Sequence, residues 1–391
     1  MKAIFCRYKN VCEYDYIDAF EKMGINAVEL YINEIKSNSL EEKAESIGKI
    51  IRENSPIFVF SINYFPYVSI VCESLDVKYV SVSVTCPMVE LYNVTIKNKC
   101  NKVFLFDYKQ YLSVKNENPD GIFYLPLGAN VERMMNVISD CKSFLYDVSF
   151  VGSLYNEKDP FTGLNISSDR NAYYEKLMLE QIEIVSSGQD YLEDALFDND
   201  VEEIKSAADD FYSSALSVVN IDKYVAINNY LSPHMTYIER VKTLNCIADS
   251  FLGDTLHLFT NSDGTMLKDV IIHGGVDTFR EMPRIIRQSK INLNISARSI
   301  KTGIPQRVWD VLGSGGFLIT NYQDEISEYF SIGEHLEVYE NEEELIEKIR
   351  FYLEHDDVRK AIARSGHELV KNNHTVFNRA IDIIKAIAEE K

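Results

Sequence analysis

Glycine and proline are scarce, at 17 and 9 in 391 residues, and there is one tryptophan. With 46% hydrophobic and 26% charged residues alongside, that scarcity excludes collagen-like, low-complexity and disordered chains. Paired cysteines are absent. Cys6, Cys12, Cys72, Cys86, Cys100, Cys141 and Cys246 are odd in number, form no CxxC and mostly sit in apolar strings such as Ile70-Val71-Cys72. They read as buried thiols of a reducing compartment. No segment approaches the ~18 uncharged apolar residues of a membrane span. Arg7 and Lys9 follow Met1-Lys2-Ala3-Ile4-Phe5 at once, so no leader is expected and the expected location is cytoplasmic. Positive charge is also short, with 40 Lys+Arg against 60 Asp+Glu and a net charge of −20. Such a field repels phosphate polymers and excludes nucleic acid as a partner. It leaves small phosphorylated ligands open, because a few local cations and a helix N-terminus hold a diphosphate whatever the global charge.

What is present is an alternation of short β-rich runs with helical periods, over a length that suits roughly two or three domains. Strands are expected at 27–31, 57–62, 78–84, 102–106 and 121–124, with helices at 13–23, 40–53 and 67–75. The run 57–62 is nearly continuous apolar, as in a central strand covered on both faces. Asn63 and Tyr64 follow it and would lie at the carboxyl end of a parallel sheet, where open α/β folds bind ligands. A second strand runs into a glycine turn at 147–155, which sets the boundary: residues 1–146 form one α/β domain and 147–375 a second. Residues 156–250 contain acidic helical stretches (171–186, 201–219, 222–229 and 236–251) without strands between them, a helical insertion in the second domain. Alternation resumes at 256–260, 269–273, 290–295 and 316–320. Helices follow at 342–355, 358–372 and 376–389, and the segment 376–391 is a C-terminal helix that can pack back on the first domain.

The segment 290–320 carries the most chemistry. A strand ends in small polar residues after Asn294, a Gly303-x-Pro305 turn opens a helix through Gln306 and Trp309, and a Gly313-x-Gly315-Gly316 turn leads into the next strand. Pro305 suits a first helical turn, where its missing N–H costs nothing, and the remaining free N–H groups form an anion site. Arg298, Lys301 and Arg307 surround that turn as a small basic island fit for a diphosphate, and Asp310 is placed to accept from a ribose diol. His273 ends a strand and is either a contact to a bound ligand or a structural hydrogen-bonder. The other histidines lack ligand spacing, so no metal is expected. Asp198-Asn199-Asp200 spells a metal-binding Asp-x-Asp, but Asp200 with Glu203 reads better as a helix cap.

From 279 onward the residues Glu281-Met-Pro283, Ser289-Lys-Ile-Asn-Leu-Asn294, Gly303-Ile-Pro-Gln-Arg307, Gly315-Gly-Phe317 and Asn373-His-Thr…Arg379 resemble the glycosyltransferase-like domain of spore maturation protein CgeB. Phe60-Ser-Ile-Asn-Tyr-Phe-Pro66, Cys86-Pro87, Tyr124-Leu-Pro-Leu-Gly128 and Phe150-Val-Gly-Ser-Leu-Tyr155 resemble the domain upstream of it in that family. The resemblance implies a GT-B fold, two Rossmann-like domains facing a cleft, with the sugar nucleotide on the C-terminal one and the acceptor on the N-terminal one. It places Asp310 on the second Glu of the paired-glutamate motif of retaining enzymes and Thr302 on the first, so half of that motif is missing. Gly152 and Ser153 match the glycine turn that admits the diphosphate.

The implied activity is transfer of a hexose or N-acetylhexosamine from a nucleoside diphosphate sugar, UDP-linked, to a hydroxyl of a protein or surface glycan. The reaction is read as metal-independent, without a cofactor, and retaining. The donor set is Gly152, Ser153, Asn294, Arg298, Lys301, Gly303, Pro305, Gln306, Arg307 and Asp310. Asn63, His273 and Arg307 are the candidate catalytic residues, and Asn63 and Tyr64 the acceptor side. The alternative is a catalytically degenerate GT-B module that binds nucleotide or glycan or docks a partner protein.

Overall fold

The computed structural model describes residues 1–35, 39–185, 188–251 and 253–388. The chain divides into two compact units: Met1–Leu127 with Ser213–Ile221 and Thr375–Lys391, and Gly128–Tyr212 with Asp222–His374.

The first unit runs β1 (Lys2–Arg7), α1 (Glu13–Lys22), β2 (Asn26–Tyr31), α2 (Leu40–Asn54), β3 (Val59–Ile62), α3 (Pro66–Ser74), β4 (Tyr79–Val82), β5 (Asn101–Leu105), α4 (Tyr108–Val114) and β6 (Ile122–Tyr124). Its six strands form one parallel sheet in the order β2-β1-β3-β4-β5-β6. Every residue of β3 and β4 is buried, which is why 57–62 reads as a nearly continuous apolar run. Strand β1 escapes the sequence pattern because it ends in a charge. Arg7 is buried there, its Nε donating to Glu13 Oε2 at 3.0 Å and its Nη1 meeting Glu29.

The second unit runs α5 (Val131–Ile138), β7 (Tyr146–Val151), α6 (Ser168–Ile182), α7 (Tyr191–Ala195), α8 (Asp198–Ala207), α9 (Asp222–Val225), α10 (Ser232–Ser250), β8 (Leu256–Phe259), β9 (Ile271–His273), α11 (Met282–Gln288), β10 (Ser289–Asn294), α12 (Gln306–Gly313), β11 (Leu318–Asn321), α13 (Ile326–Tyr329), β12 (Glu337–Tyr339), α14 (Glu342–Glu354) and α15 (Asp356–Asn373). Its sheet is also parallel, in the order β12-β11-β10-β7-β8-β9. The order reverses between β7 and β10, which makes their carboxyl ends the switch point of this unit. Strand β12 is short and lies in an acidic stretch. Its Glu337 is buried against Lys348 at 2.8 Å and Tyr352 Oη at 2.6 Å.

The units divide after Leu127, not at 146 as the strand pattern had set the boundary. Residues 128–146 go with the second unit because α12 closes on them: a Cβ on Gly313 would stand 2.6 Å from Ala129 Cβ and 3.1 Å from Met134 Sδ. Within 156–250 the described residues form helices and turns, without a strand. The helix expected over 201–219 stops at Ala207. Asp209 and Asp210 follow, and negative charge at a helix C-terminus opposes its dipole. Between α9 and α10 the helix widens into a π turn, Ala226–Leu231, just ahead of Pro233, whose ring cannot continue the ordinary ladder. Residues 186 and 389–391, which close two of the expected helices, lie outside the described residues. Of the seven thiols only Cys6, Cys72 and Cys100 are buried; the other four are partly exposed, and none forms a disulfide among the described residues.

The chain ends in α16 (Val376–Ala388), which completes the core of the first unit. Val376, Ala380, Ile383 and Ile387 join Phe5, Tyr16, Phe20, Phe58 and Phe60 in one buried cluster, with ring centroids 5.0 Å apart for Phe5 and Phe60 and 5.5 Å for Phe20 and Phe58. Lys78 Nζ donates to Ile387 O at 2.7 Å. Ile383 is fully buried, so Ile383→Ala is expected to cost about 2–5 kcal/mol in urea denaturation. A loss under about 1 kcal/mol would mean that α16 is dispensable to this core.

Candidate functional site

In the first unit the order of strands reverses between β1 and β3, and Asn63 sits at that point. Its φ of 59° is left-handed, which asparagine tolerates. The side chain stitches the strand ends together: Nδ2 donates to Tyr8 Oη at 3.0 Å and Oδ1 accepts from Val84 N–H at 3.1 Å. Tyr64 is not at this surface. It is 2% exposed, its Oη donates to Thr95 Oγ1 at 2.9 Å and accepts from Asn101 Nδ2 at 3.2 Å, and its ring packs on Tyr79. The turn at Asn63 sends the next side chain into the core.

In the second unit, β7 ends in the Gly152-Ser153 turn. Gly152 N–H is spent on Phe259 O at 3.1 Å. The Ser153 hydroxyl donates to Glu157 Oε1 at 2.5 Å and accepts from Tyr155 N–H at 2.8 Å. Ser262 donates to the other Glu157 oxygen, at 2.8 Å. Against burial, which raises it, these two hydrogen bonds hold the Glu157 carboxyl below its ordinary value. A carboxylate therefore stands beside the turn that the resemblance assigns to a diphosphate.

The cations expected as a basic island each carry a carboxylate. Arg298 grips Glu239 with two nitrogens, at 2.7 and 2.6 Å, and also donates to Ile182 O. Burial opposes its charge, and Glu239 outweighs burial and raises its pKa. Lys301 Nζ lies 2.8 Å from Asp190 Oδ2. Arg307 rests against Met282 Sδ with Nη1 3.4 Å from Asp310 Oδ2, and burial lowers its pKa. Asp310 also accepts from Gln306 Nε2 at 3.0 Å, which reaches Gly128 O as well. Pro305 is the cap residue of α12 and precedes its first turn, and Gly303 is buried. Asn294 is inward, donating to Ser296 Oγ and Thr320 Oγ1. Thr302 donates to Glu325 Oε1 at 2.6 Å, so a carboxylate from another loop meets the position where the paired-glutamate motif lacks one.

His273 belongs to an aromatic stack away from these groups. Its ring lies 4.3 Å from Phe259 at 7° and its Nε2 is 3.1 Å from His257 Nδ1. Burial first, then His273, holds His257 below the ordinary imidazole value. Asp200 caps α8 by accepting from Phe197 N–H at 2.8 Å and also meets Arg170, while Glu203 takes Arg170 Nε at 2.6 Å. The cap partner is Phe197, not Glu203 as the sequence reading had it. Among the described residues no group of three His, Cys, Asp or Glu is placed to hold a metal ion, and no helix is long and apolar enough to cross a membrane.

The residue that sequence reasoning missed is Arg240. It projects from α10 into the switch point, 8% exposed, and ties the two strand ends together. Its Nη1 donates to Ser153 O at 2.6 Å, and Nε and Nη2 donate to Ile295 O at 3.1 and 2.5 Å. The rings of Tyr155 and Phe150 lie 4.8 and 5.3 Å from its guanidinium carbon. No ion pair forms at Arg240 among the described residues. Burial of a cation is costly and lowers its pKa, and the nearby Glu239 offsets part of that cost. Beside it a pocket opens at the carboxyl ends of β10, β11 and β12, walled by the α6 end and α10. Two buried polar atoms there have no partner, Gln323 Oε1 and Tyr339 Oη. Burial keeps the Tyr339 phenol far above its ordinary pKa and therefore neutral.

The pairing of Arg298 with Glu239 makes a structural prediction. Arg298→Ala leaves a nine-tenths buried carboxylate unpaired and is expected to cost about 3–5 kcal/mol in thermal or urea unfolding. Arg298→Ala with Glu239→Ala should recover part of that loss. Equal stability of the single variant and the wild type would show that the pair carries no structural load.

Residues 249–385 match the family model described as glycosyl transferase-like. No curated protein matches the chain. Among solved structures it is similar to a glycosyltransferase of Rickettsia africae ESF-5, at 13% identity and TM-score 0.53, over 100% of this chain and 99% of that one. It is similar to HepE of Anabaena, solved with UDP and glucose, at 8% identity and TM-score 0.55 over the whole of both chains. A sucrose-phosphate synthase of Thermosynechococcus elongatus aligns at 8% identity and TM-score 0.52, over 99% and 98% of the two chains. The two parallel α/β units therefore make a GT-B fold, and its residues 249–385 carry a glycosyl transferase-like domain.

Proposed function

We propose that the protein transfers a hexosyl or N-acetylhexosaminyl group from a nucleoside diphosphate sugar to a hydroxyl of a protein or surface glycan. The observation that carries this reading is the buried Arg240 at the switch point of the second unit, whose hydrogen bonds among the described residues go to backbone oxygens alone. Glycosyl transfer breaks the bond between the anomeric carbon and the diphosphate, forms one to the acceptor oxygen, and leaves negative charge on the departing phosphate. A fixed cation in a dry site stabilises that charge best, because nothing reorganises as it develops. Arg240 supplies the cation, and an anionic ligand adds a direct ionic partner to the influence of Glu239.

The adjoining pocket suits the uncharged part of the donor. Its lining carries Glu183, Glu239, Glu340 and Glu342 beside Lys242, Arg298 and Lys301, so it offers no net attraction to phosphate. Gln323 Oε1 and Tyr339 Oη offer unfilled hydrogen bonds to hydroxyl or amide groups. A UDP-linked donor is the reading supported by HepE, a protein of the same fold solved with UDP and glucose. Asn63, with both ends of its amide engaged, positions the acceptor-side strand ends and does not take a proton. The acceptor proton then passes to the leaving diphosphate, which accords with a metal-independent, retaining transfer.

A second reading, a binding module without catalysis, is favoured by one feature: Arg298, Lys301 and Arg307 are all neutralised within the fold. The readings separate in one assay set. With UDP-, GDP- and dTDP-sugars offered to the purified chain, one donor should be hydrolysed slowly, and Arg240→Ala should lower that rate by roughly 10²–10³. Tyr339→Phe removes a hydroxyl that has no partner in the fold. It should weaken the donor by about threefold to tenfold and leave the melting temperature unchanged or raised. Donor binding without turnover selects the module, and neither binding nor turnover with any donor rejects both.

A further inference from the structure

The geometry points to a second anion site in the same unit, at the amino end of its sheet, built for a small molecule with two or more phosphate charges. A cavity of about 490 Å³ opens there, within the range of small-molecule sites. Lys142 precedes β7, Arg287 and Lys290 flank the start of β10, and Arg359, Lys360 and Arg364 come from α15. The groups at the carboxyl ends of the strands, where the donor is placed above, lie at the other end of the same sheet.

Six of the chain's 40 Lys and Arg residues converge on this cavity, and no carboxylate lines it. Two carboxylates touch its cations from behind. Asp147 lies 2.6 Å from Lys290, and Asp356 meets Arg359 and lies 2.9 Å from Lys360. Arg287 donates to Gly315 O at 3.0 Å, a neutral acceptor. Lys142 and Arg364 make no hydrogen bond or ion pair among the described residues. Three of the six, Lys142, Arg287 and Arg364, thus have no carboxylate partner among the described residues, on a chain with 20 surplus negative charges. Like charges gathered in a concave wall repel more strongly than in open water, and a polyvalent anion relieves that repulsion.

The lining also decides the kind of anion. Phe144, Phe317, Met135 and Ala363 give it an apolar part, and the Phe144 ring holds Arg359 at 5.3 Å and Lys360 at 5.6 Å. An organic phosphate fits such a wall: cations for the phosphates, apolar surface for the remainder. A nucleic acid or an acidic protein would meet the repulsion of the whole chain, whereas a small ligand meets only the cavity.

The test titrates the full chain calorimetrically with inorganic pyrophosphate, then repeats it with Arg287→Ala/Arg364→Ala. Both side chains are exposed, so the variant should keep the wild-type melting temperature in the absence of ligand. Pyrophosphate affinity at this site should fall about tenfold or more, while UDP affinity stays at the wild-type value. No pyrophosphate binding by the wild type at millimolar concentration, or equal binding by the variant, overturns the site. Tighter binding of a polyglutamate peptide than of pyrophosphate assigns the cavity to a protein partner and overturns the small-molecule reading. Because the variant leaves Arg240 in place, loss of UDP binding in every sample would count against the donor site alone.

Discussion

One guanidinium holds the switch point of the second unit together. Arg240 ties the carbonyl of Ser153, after β7, to that of Ile295, after β10, and so fixes the two strand ends between which a Rossmann-like sheet admits its ligand. The rings of Phe150 and Tyr155 lie close to its guanidinium, and among the described residues it forms no ion pair. Two consequences follow from this arrangement. The helix that carries it, α10, is bound to the sheet by its polar face as well as its apolar one, since Leu244 and Ile247 join the buried cluster of β7, β8 and β10. And a buried positive charge is held at the place where negative charge would have to be stabilised.

The remaining cations have been used differently. Arg298, Lys301 and Arg307 hold the 298–310 loop and α12 through Glu239, Asp190 and Asp310, at distances of 2.6, 2.8 and 3.4 Å. They make a rigid frame of the segment that the sequence marks most strongly. The six cations at the amino end of the sheet are a mixed case: Lys290, Arg359 and Lys360 have carboxylate partners, and Lys142, Arg287 and Arg364 have none among the described residues. Ten of the 40 Lys and Arg residues are thus used in three ways: one bridges strand ends, three stiffen a loop, and six line a cavity.

The alternation of strands and helices was legible because buried parallel strands write themselves as apolar runs, and 57–62 and 290–295 are read directly from the sequence. Strands β1 and β12 were not, because Arg7 and Glu337 break the apolar pattern and are neutralised by partners outside the strand. The glycine turns and Pro305 mark where loops and helices change over, and the structure has those changes there. Arg298, Lys301, Arg307 and Asp310 were legible as charged groups, but their ion pairs were not, and Arg240 was not legible at all. Glu239 lies 59 residues from Arg298, and nothing local announces that the two will meet. Arg240 binds only backbone oxygens, 87 and 55 residues away, and a carbonyl leaves no signature in a sequence. Tyr64 was misplaced for a simpler reason: the left-handed turn at Asn63 reverses the face on which the following side chain falls.

The most direct measurement is a crystal structure of the protein with a UDP-sugar or UDP. The account requires a phosphate oxygen within hydrogen-bond distance of an Arg240 terminal nitrogen and the uncharged part of the ligand against Gln323 and Tyr339. A diphosphate seated elsewhere, with Arg240 still bonded only to Ser153 and Ile295, would contradict it.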